Sequence, residues 1–237
     1  MAKLNTNGNV YTIVYASILV IIVAFLLAFV ASALKPTQDA NVANDKRSQI
    51  LAALRIEKGT EYDIPAKYAE LVKADPIYGK TADEKQEEGG FKVENKNLSD
   101  SNRPLYVAET PDGTKYVIPM TGAGLWGGIW GYVALDDDCE TVYGTYFSHE
   151  SETAGLGARI TEKWFQDLFQ GKKIHPDGDN QKVALSVVKK GSNEEKQLNP
   201  ANFVNGITGA TLTSNGVNEM IQVGLSRYMD ILESLKK

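Results

Sequence analysis

From Tyr11 to Leu34 the chain runs for 24 residues without an Asp, Glu, Lys, Arg or His. A helix rising about 1.5 Å per residue would make this run about 36 Å long, enough to cross a hydrocarbon core of about 30 Å with some tilt. Between Ile18 and Val30 it has no polar face to turn towards water. Three structures compete for such a run. Ala31-Ser32-Ala33 imitates a signal-peptidase site, but signal cores are about 7–15 residues and this run is longer. A buried core helix is the second alternative. The run is read as the third, an uncleaved anchor, with Tyr11 and Tyr15 at one interface and Lys35-Pro36 ending the span. No second run approaches the roughly 18 apolar residues that another span needs.

Charge divides along the same line. Residues 1–34 hold one charged side chain, Lys3, so the rest carries 24 Lys+Arg against 30 Asp+Glu, a net of −6. An acidic domain without a basic stripe is a poor partner for nucleic acid, whose affinity comes largely from neutralised phosphates. The single Cys139 excludes an internal disulfide and any cysteine-based metal cluster. Lys3 lies on one side of the span and Lys35, Lys46 and Arg47 on the other, diluted by Asp39 and Asp45. The count slightly favours a cytoplasmic domain.

The chain therefore divides into a short tail (1–10), a membrane span (11–34), a polar juxtamembrane linker (35–45) and a globular part (46–237). Asn44 or Asp45 can cap a helix running to about Glu57, which Gly59 stops. A short helix fits Ala66–Val72, and Thr81–Gly90 reads as a charged, flexible loop. Leu105–Glu109 and Lys115–Met120 flank Pro111-Asp112-Gly113 and predict a hairpin. Trp130–Leu135 and Glu140–Phe147 flank Asp136-Asp137-Asp138 and predict another. Thr161–Phe169 is helical in pattern, with Gly171 at its end, and Lys182–Lys189 alternates as a strand. Val217, Met220, Ile221, Leu225, Tyr228, Ile231, Leu232 and Leu235 form the apolar stripe of a last helix, capped by Thr213 or Ser214. Together these predict an α+β domain with a twisted, mainly antiparallel sheet and packed helices.

Three segments have the composition of a site. Asn205-Gly206-Ile207-Thr208-Gly209-Ala210-Thr211-Leu212-Thr213-Ser214 puts two glycines and four hydroxyls just before a helix. It is either an anion seat, using orphan amides and the helix dipole, or a loop ending in a cap. Thr121–Tyr132 interleaves five glycines with Trp126, Trp130 and Tyr132. It suits a planar cofactor, and it suits better a glycine-kinked strand whose tryptophans fill the core. His149-Glu150-Ser151-Glu152-Thr153-Ala154-Gly155-Leu156-Gly157 is weak as a metal site, since His175 is the only other histidine. As an acid/base pair it lacks a nucleophile. A loop that bonds a polar ligand edge and a solvated acidic turn remain. Cys139, beside three aspartates, has a raised rather than lowered thiol pKa and is read as structural.

Thr208-Gly209-Ala210-Thr211 with Leu212-Thr213-Ser214 resembles the [ST]-G-A-[TS] acceptor sequence of covalent FMN-binding domains. Gly124-Leu125-Trp126-Gly127-Gly128 and His149–Gly157 resemble the other two motifs of that family. One span followed by this domain is the layout of the C-subunit family of Na⁺-translocating NADH:quinone reductases; the G-subunit family of Rnf-type complexes shares it. The Leu212–Val217 continuation and the Gly-Leu-Trp segment favour the former. A non-redox, membrane-tethered ligand-binding module is the rival of a different class.

The resemblance implies FMN esterified through its phosphate to Thr211, with Thr213 as the near-miss. Thr208 and Gly209 would approach the phosphate, and Ala210, Leu212 and Thr213 would be the other cofactor-binding residues of this segment. Glu152, Thr153, Gly155, Leu156 and Gly157, with Trp126 and Gly127, would line the flavin. It further implies a separate flavin transferase, because a threonine hydroxyl without an adjacent base is a weak nucleophile. Partners would be the other members of a six-subunit assembly in the bacterial inner membrane, with this domain on the extracytoplasmic face. There the protein would pass electrons during quinone reduction coupled to sodium export. NADH would be oxidised on another polypeptide of the assembly, since no Rossmann fingerprint is present. No metal site and no catalytic residue proper is expected. Where the family pattern opens with Asp, thought to aid the transferase, this chain has Asn205. The three motifs must converge on one cofactor, so 46–237 is expected to be one domain.

Overall fold

The computed structural model describes residues 8–56, 62–179 and 182–236 and divides into two compact units, Met1–Lys46 and Arg47–Lys237. The first unit is helical from Asn9 onward, as the start of α1 (Asn9–Ala53). This is the one helix among the described residues that is long and apolar enough to cross a membrane. Its large apolar side chains between Val10 and Leu34 are bare, with Phe25 70% exposed.

The helix does not pause at the expected linker. It continues through 35–45 with Pro36 inside it, so Asn44 and Asp45 lie within a helix rather than at the start of one. Lys35 and Asp39 form an i,i+4 ion pair at 3.3 Å that spans the proline and supports the turn around it. The end comes at Ala53, where Arg55 N–H reaches Ala52 O and Ile56 N–H reaches Leu51 O. Arg55 takes φ +63° in this reversal, a conformation usually left to glycine. Glu57 and Gly59, the expected stop, lie outside the described residues.

In the second unit α2 (Ile64–Leu71) starts on Asp63, whose carboxylate accepts the Ala66 N–H at 3.0 Å. Then come β1 (Val72–Ala74), β2 (Ile77–Tyr78), β3 (Lys85–Gln86), β4 (Arg103–Pro104), β5 (Tyr106–Thr110), β6 (Gly113–Ala123), β7 (Gly128–Leu135) and β8 (Val142–His149). Strands β1-β5-β6-β7-β8 form an antiparallel sheet in that order, and β3-β2-β4 a small second one. The stretch read as a flexible loop thus holds β3, paired back onto β2. Both predicted hairpins form, and Gly113 at φ +98° makes the first turn.

After β8 come a 3₁₀ turn (Gly157–Thr161) and α3 (Lys163–Asp167), where one longer helix was expected. β9 (Ser186–Val188) is shorter than its alternating pattern and pairs in parallel with β10 (Phe203–Asn205). α4 (Thr211–Ser226) and α5 (Met229–Leu235) share the predicted apolar stripe, with a break at Arg227-Tyr228. The break is fixed by Arg103, 4% exposed, which donates to Arg227 O and to Asp230 Oδ1, each at 2.6 Å.

The main sheet is covered on both faces, so its strands alternate between two cores rather than between core and water. Tyr116, Ile118 and Met120 of β6 pack with Val217, Met220, Ile221 and Leu225 of α4. Val117 of β6 and Tyr132 and Ala134 of β7 pack with Ile50, Ala53 and Leu54 at the end of α1. Burying each such aliphatic side chain contributes about 1.5–3 kcal/mol, which is why α1 persists to Ala53. On the first face α4 lies very close to β6: a Cβ on Gly216 would strike the Ala123 carbonyl.

Candidate functional site

Three segments meet at one end of the main sheet. The β6–β7 hairpin turns through Gly124–Gly127, closed by a 2.8 Å bond from Gly124 N–H to Gly127 O. The loop after β8 is tied to it: Ser151 Oγ donates to Trp126 O at 2.7 Å, and Gly128 N–H donates to Glu150 Oε2 at 3.2 Å. The N-terminus of α4 supplies the third part.

Glu152 joins all three. Its Oε1 accepts the Trp126 N–H at 2.9 Å, and its Oε2 accepts the Thr213 hydroxyl at 2.6 Å. Its own N–H donates to His149 Nδ1 at 3.2 Å. The carboxylate is packed between two glycines. A Cβ on Gly124 would strike Oε1, and one on Gly157 would strike Oε2 and come within 2.5 Å of Thr213 Oγ1. Burial pushes the Glu152 carboxyl up, but the bonds from Thr213, Trp126 and Leu125, with His149 nearby, outweigh it and hold the group below its usual range. It is therefore an anion at neutral pH.

The acceptor segment leaves β10 at Asn205 and is drawn back by two bonds. Gly206 N–H donates to Val188 O at 2.8 Å, and Ile207 N–H to Ser214 Oγ at 3.0 Å. Gly209 takes φ +84° and α4 begins two residues on, at Thr211. This corrects the expected cap. Thr213 and Ser214 are already inside the helix and face inward, with their oxygens engaged elsewhere. Ala210 occupies the cap position and supplies no side-chain acceptor, so the first-turn amides are uncapped. Of the four hydroxyls, Thr213 and Ser214 are 1% and 4% exposed, whereas Thr208 and Thr211 are exposed. The Thr211 hydroxyl has no hydrogen-bond partner among the described residues.

Thr211 opens onto a pocket of about 150 Å³, walled by Gly206, Thr208 and Gly209 on one side and by Val188, Lys189 and Lys190 on the other. An exposed hydroxyl, uncapped amides, the positive end of a 16-residue helix and two lysines are features that could hold an anionic group. Among the described residues no group of three or more His, Cys, Asp or Glu is placed to hold a metal.

Residues 124–226 match the FMN-binding domain family, a span that takes in all three segments apart from the first residues of the glycine/tryptophan stretch. The C subunit of the Na⁺-translocating NADH-quinone reductase of Haemophilus ducreyi is 31% identical over 92% of this chain and 90% of its own length. The chain belongs to this C-subunit family. A relative of the same name from Pseudomonas aeruginosa is 28% identical over 98% of both chains. The crystal structure of the C subunit from Parabacteroides distasonis superposes with a TM-score of 0.75 at 37% identity, covering 84% of this chain and 96% of that one.

Against this family the placement of the expected residues is uneven. Glu152, Gly157, Trp126 and Thr213 come together, and Gly127 packs against Ser151 and Glu150. Thr153 and Gly155 lie exposed on the outer side of the loop, and Leu156 reaches Gly209 with a side chain 44% exposed. Trp126 does not fill the core, as the strand reading required. Its N–H and C=O are both bonded within the site and its side chain is 66% exposed. Trp130 is half-buried and donates to Gln49 Oε1 at 3.1 Å. Asn205 Oδ1 is buried without a partner among the described residues, so this oxygen is not displayed at the surface.

Sequence reasoning missed Lys189 and Lys190, whose only signal is a basic pair ending an alternating segment. It also missed two residues of α4: Asn218 Oδ1 accepts the Val187 N–H at 2.8 Å, and Gln222 Nε2 donates to Leu185 O at 2.6 Å. These two hold the β9 wall of the pocket against the helix.

Proposed function

We propose that this chain is the covalently flavinylated electron-transfer subunit of a Na⁺-translocating NADH:quinone reductase, with FMN joined to Thr211 by a phosphodiester. One observation carries the reading: in the family's acceptor motif, Thr211 alone combines an exposed hydroxyl with a place on the first turn of an uncapped helix.

The residues present fit the group. The α4 N-terminus and the ammonium groups of Lys189 and Lys190 counter the single negative charge that a phosphodiester keeps. Gly206 and Gly209 leave backbone within reach of it. Trp126, Leu156 and Leu212, 66%, 44% and 60% exposed, offer apolar surface for a flat ring. When bound, FMN supplies one- and two-electron transfer; the protein supplies tether, surface and hydrogen bonds. Thr211 has no base beside it, so attachment needs a separate flavin transferase. The hydroxyl also needs an activated donor, a pyrophosphate-linked flavin dinucleotide. The Oγ–P bond forms as the pyrophosphate bond breaks, a nucleoside monophosphate leaves, and the hydroxyl proton passes to the transferase or to solvent.

In this reading α1 anchors the domain beside its partner polypeptides, with the flavin domain extracytoplasmic. A single span without charges from Tyr11 to Leu34 offers no ion pathway of its own, so sodium coupling belongs to those partners. The test is covalent flavin. Full-length protein made with a transferase stays fluorescent after denaturing electrophoresis; Thr211→Ala abolishes the band and Thr213→Ala does not. A fluorescent band in Thr211→Ala overturns the assignment.

A further inference from the structure

The acceptor segment offers two threonines two residues apart, and sequence alone does not say why a transferase should choose between them. Their surroundings differ sharply. Thr211 is exposed with an unengaged hydroxyl, whereas Thr213 is 1% exposed and donates to Glu152 Oε2 at 2.6 Å. Glu152 reaches α4 from a different motif, 61 residues away, and is itself held by the Trp126 amide of a third motif. Gly124 and Gly157 are the residues whose missing side chains admit the carboxylate. None of Glu152, Thr213, Trp126, Gly124 and Gly157 lines the pocket beneath Thr211, whose walls come from 187–190, 206–209, 211, 214 and 215.

We infer that the Glu152–Thr213 hydrogen bond selects the flavinylation site: Glu152 is a positioning residue that retains the Thr213 hydroxyl in the interior and leaves Thr211 as the acceptor. The inference rests on covalent attachment through this segment, as proposed above. A hydroxyl donating to a buried carboxylate cannot turn outward without leaving that acceptor unpaired, and the cost of losing a charge-assisted bond corresponds to a selectivity of about tenfold or more.

The test is the position of the label in full-length protein co-produced with the transferase, read by fragmentation of the flavin-bearing peptide. Wild type carries flavin at Thr211 alone. Glu152→Ala removes the acceptor. Glu152→Asp draws it away by one methylene while keeping a carboxylate for the Trp126 amide, and so serves if the alanine variant fails to fold. Both are expected to move label onto Thr213, raising its share at least about tenfold over wild type. Glu152→Gln keeps one oxygen for the Trp126 N–H and turns its NH2 to donate to the Thr213 hydroxyl, which still holds that hydroxyl in the interior. Labelling at Thr211 alone is expected to be restored, which a merely structural role would not distinguish. Label confined to Thr211 in the folded alanine and aspartate variants overturns the inference, as does complete loss of label in them. Wild-type protein labelled at neither threonine overturns instead the attachment reading on which it rests.

Discussion

Thr213 Oγ1 lies 2.6 Å from Glu152 Oε2, and through this bond the first turn of α4 is fastened to the loop that follows β8. Because its hydrogen bonds hold the Glu152 carboxyl below the ordinary value of 4.5, the folded state binds its proton less readily than the unfolded chain. The stabilisation is therefore fully present above the unfolded pKa and is lost as pH falls through the folded one. Thermal unfolding of wild type and Glu152→Gln should differ most at neutral pH and converge below about pH 4.5. A difference that grows on acidification would contradict the assignment of an ionised Glu152.

The two glycines of the Glu152 loop should respond differently to alanine. At Gly157 the new methyl meets Glu152 and Thr213, an overpacking that costs about 1–3 kcal/mol. At Gly155 the space is open and only φ +76° is at issue, a cost of about 1–2 kcal/mol. Urea titrations give the stabilities; labelling by the transferase separates the two, since only Gly157→Ala disturbs the grip on Thr213.

What the sequence announced and what it concealed divide along physical lines. The hairpins at Pro111-Asp112-Gly113 and Asp136-Asp137-Asp138 were legible because turn chemistry is local. The α4–α5 stripe was legible because one helical face is buried. The start of α4 was misplaced because Thr213 and Ser214 look like caps but spend their oxygens on Glu152 and on Ile207 N–H. The helix through 35–45 was missed because Pro36 reads as a stop, while the Lys35–Asp39 ion pair that spans it forms only in the fold. The motifs of the site were legible; that one carboxylate joins them was not, because residues 126, 152 and 213 are brought together only by the sheet.

Arg103 is a buried cation with three acceptors: Gly79 O at 2.8 Å, Arg227 O and the Asp230 carboxylate. Asp230 is 43% exposed in its side chain, so water screens its half of the pair. Asp230→Ala should cost about 1–3 kcal/mol, less than the cost of breaking a fully buried pair. Arg103→Ala, which also orphans two carbonyls, Gly79 O and Arg227 O, should cost more. Denaturant titration of both variants checks the order; equal losses would place the energy in the ion pair alone.

Cys139 is wholly buried, and burial, reinforced by Asp138 and Asp137 and opposed by Lys236, pushes its thiol up to about 11. Alkylation needs the thiolate and access to it, and the folded protein provides neither at neutral pH. Native protein treated with iodoacetamide should remain unmodified by mass over hours, while the same protein in urea gains one adduct. Rapid modification under native conditions would mean that the turn after β7 opens freely.

The acceptor segment is shaped by bonds made within the protein. Ile207 is fixed by Ser214, Gly206 by Val188, and Thr213 by Glu152, so no flavin is needed to order it. A chain beginning at Asp39 and made without a transferase should therefore be soluble and folded but colourless. The circular dichroism of this chain should match that of the flavinylated form. Supplying transferase and a flavin dinucleotide afterwards should attach one flavin per chain at Thr211. If the colourless protein is instead unfolded, or accepts flavin only when the transferase is present during synthesis, the loop is built around its cofactor. The internal hydrogen bonds would then be a consequence of attachment rather than its scaffold.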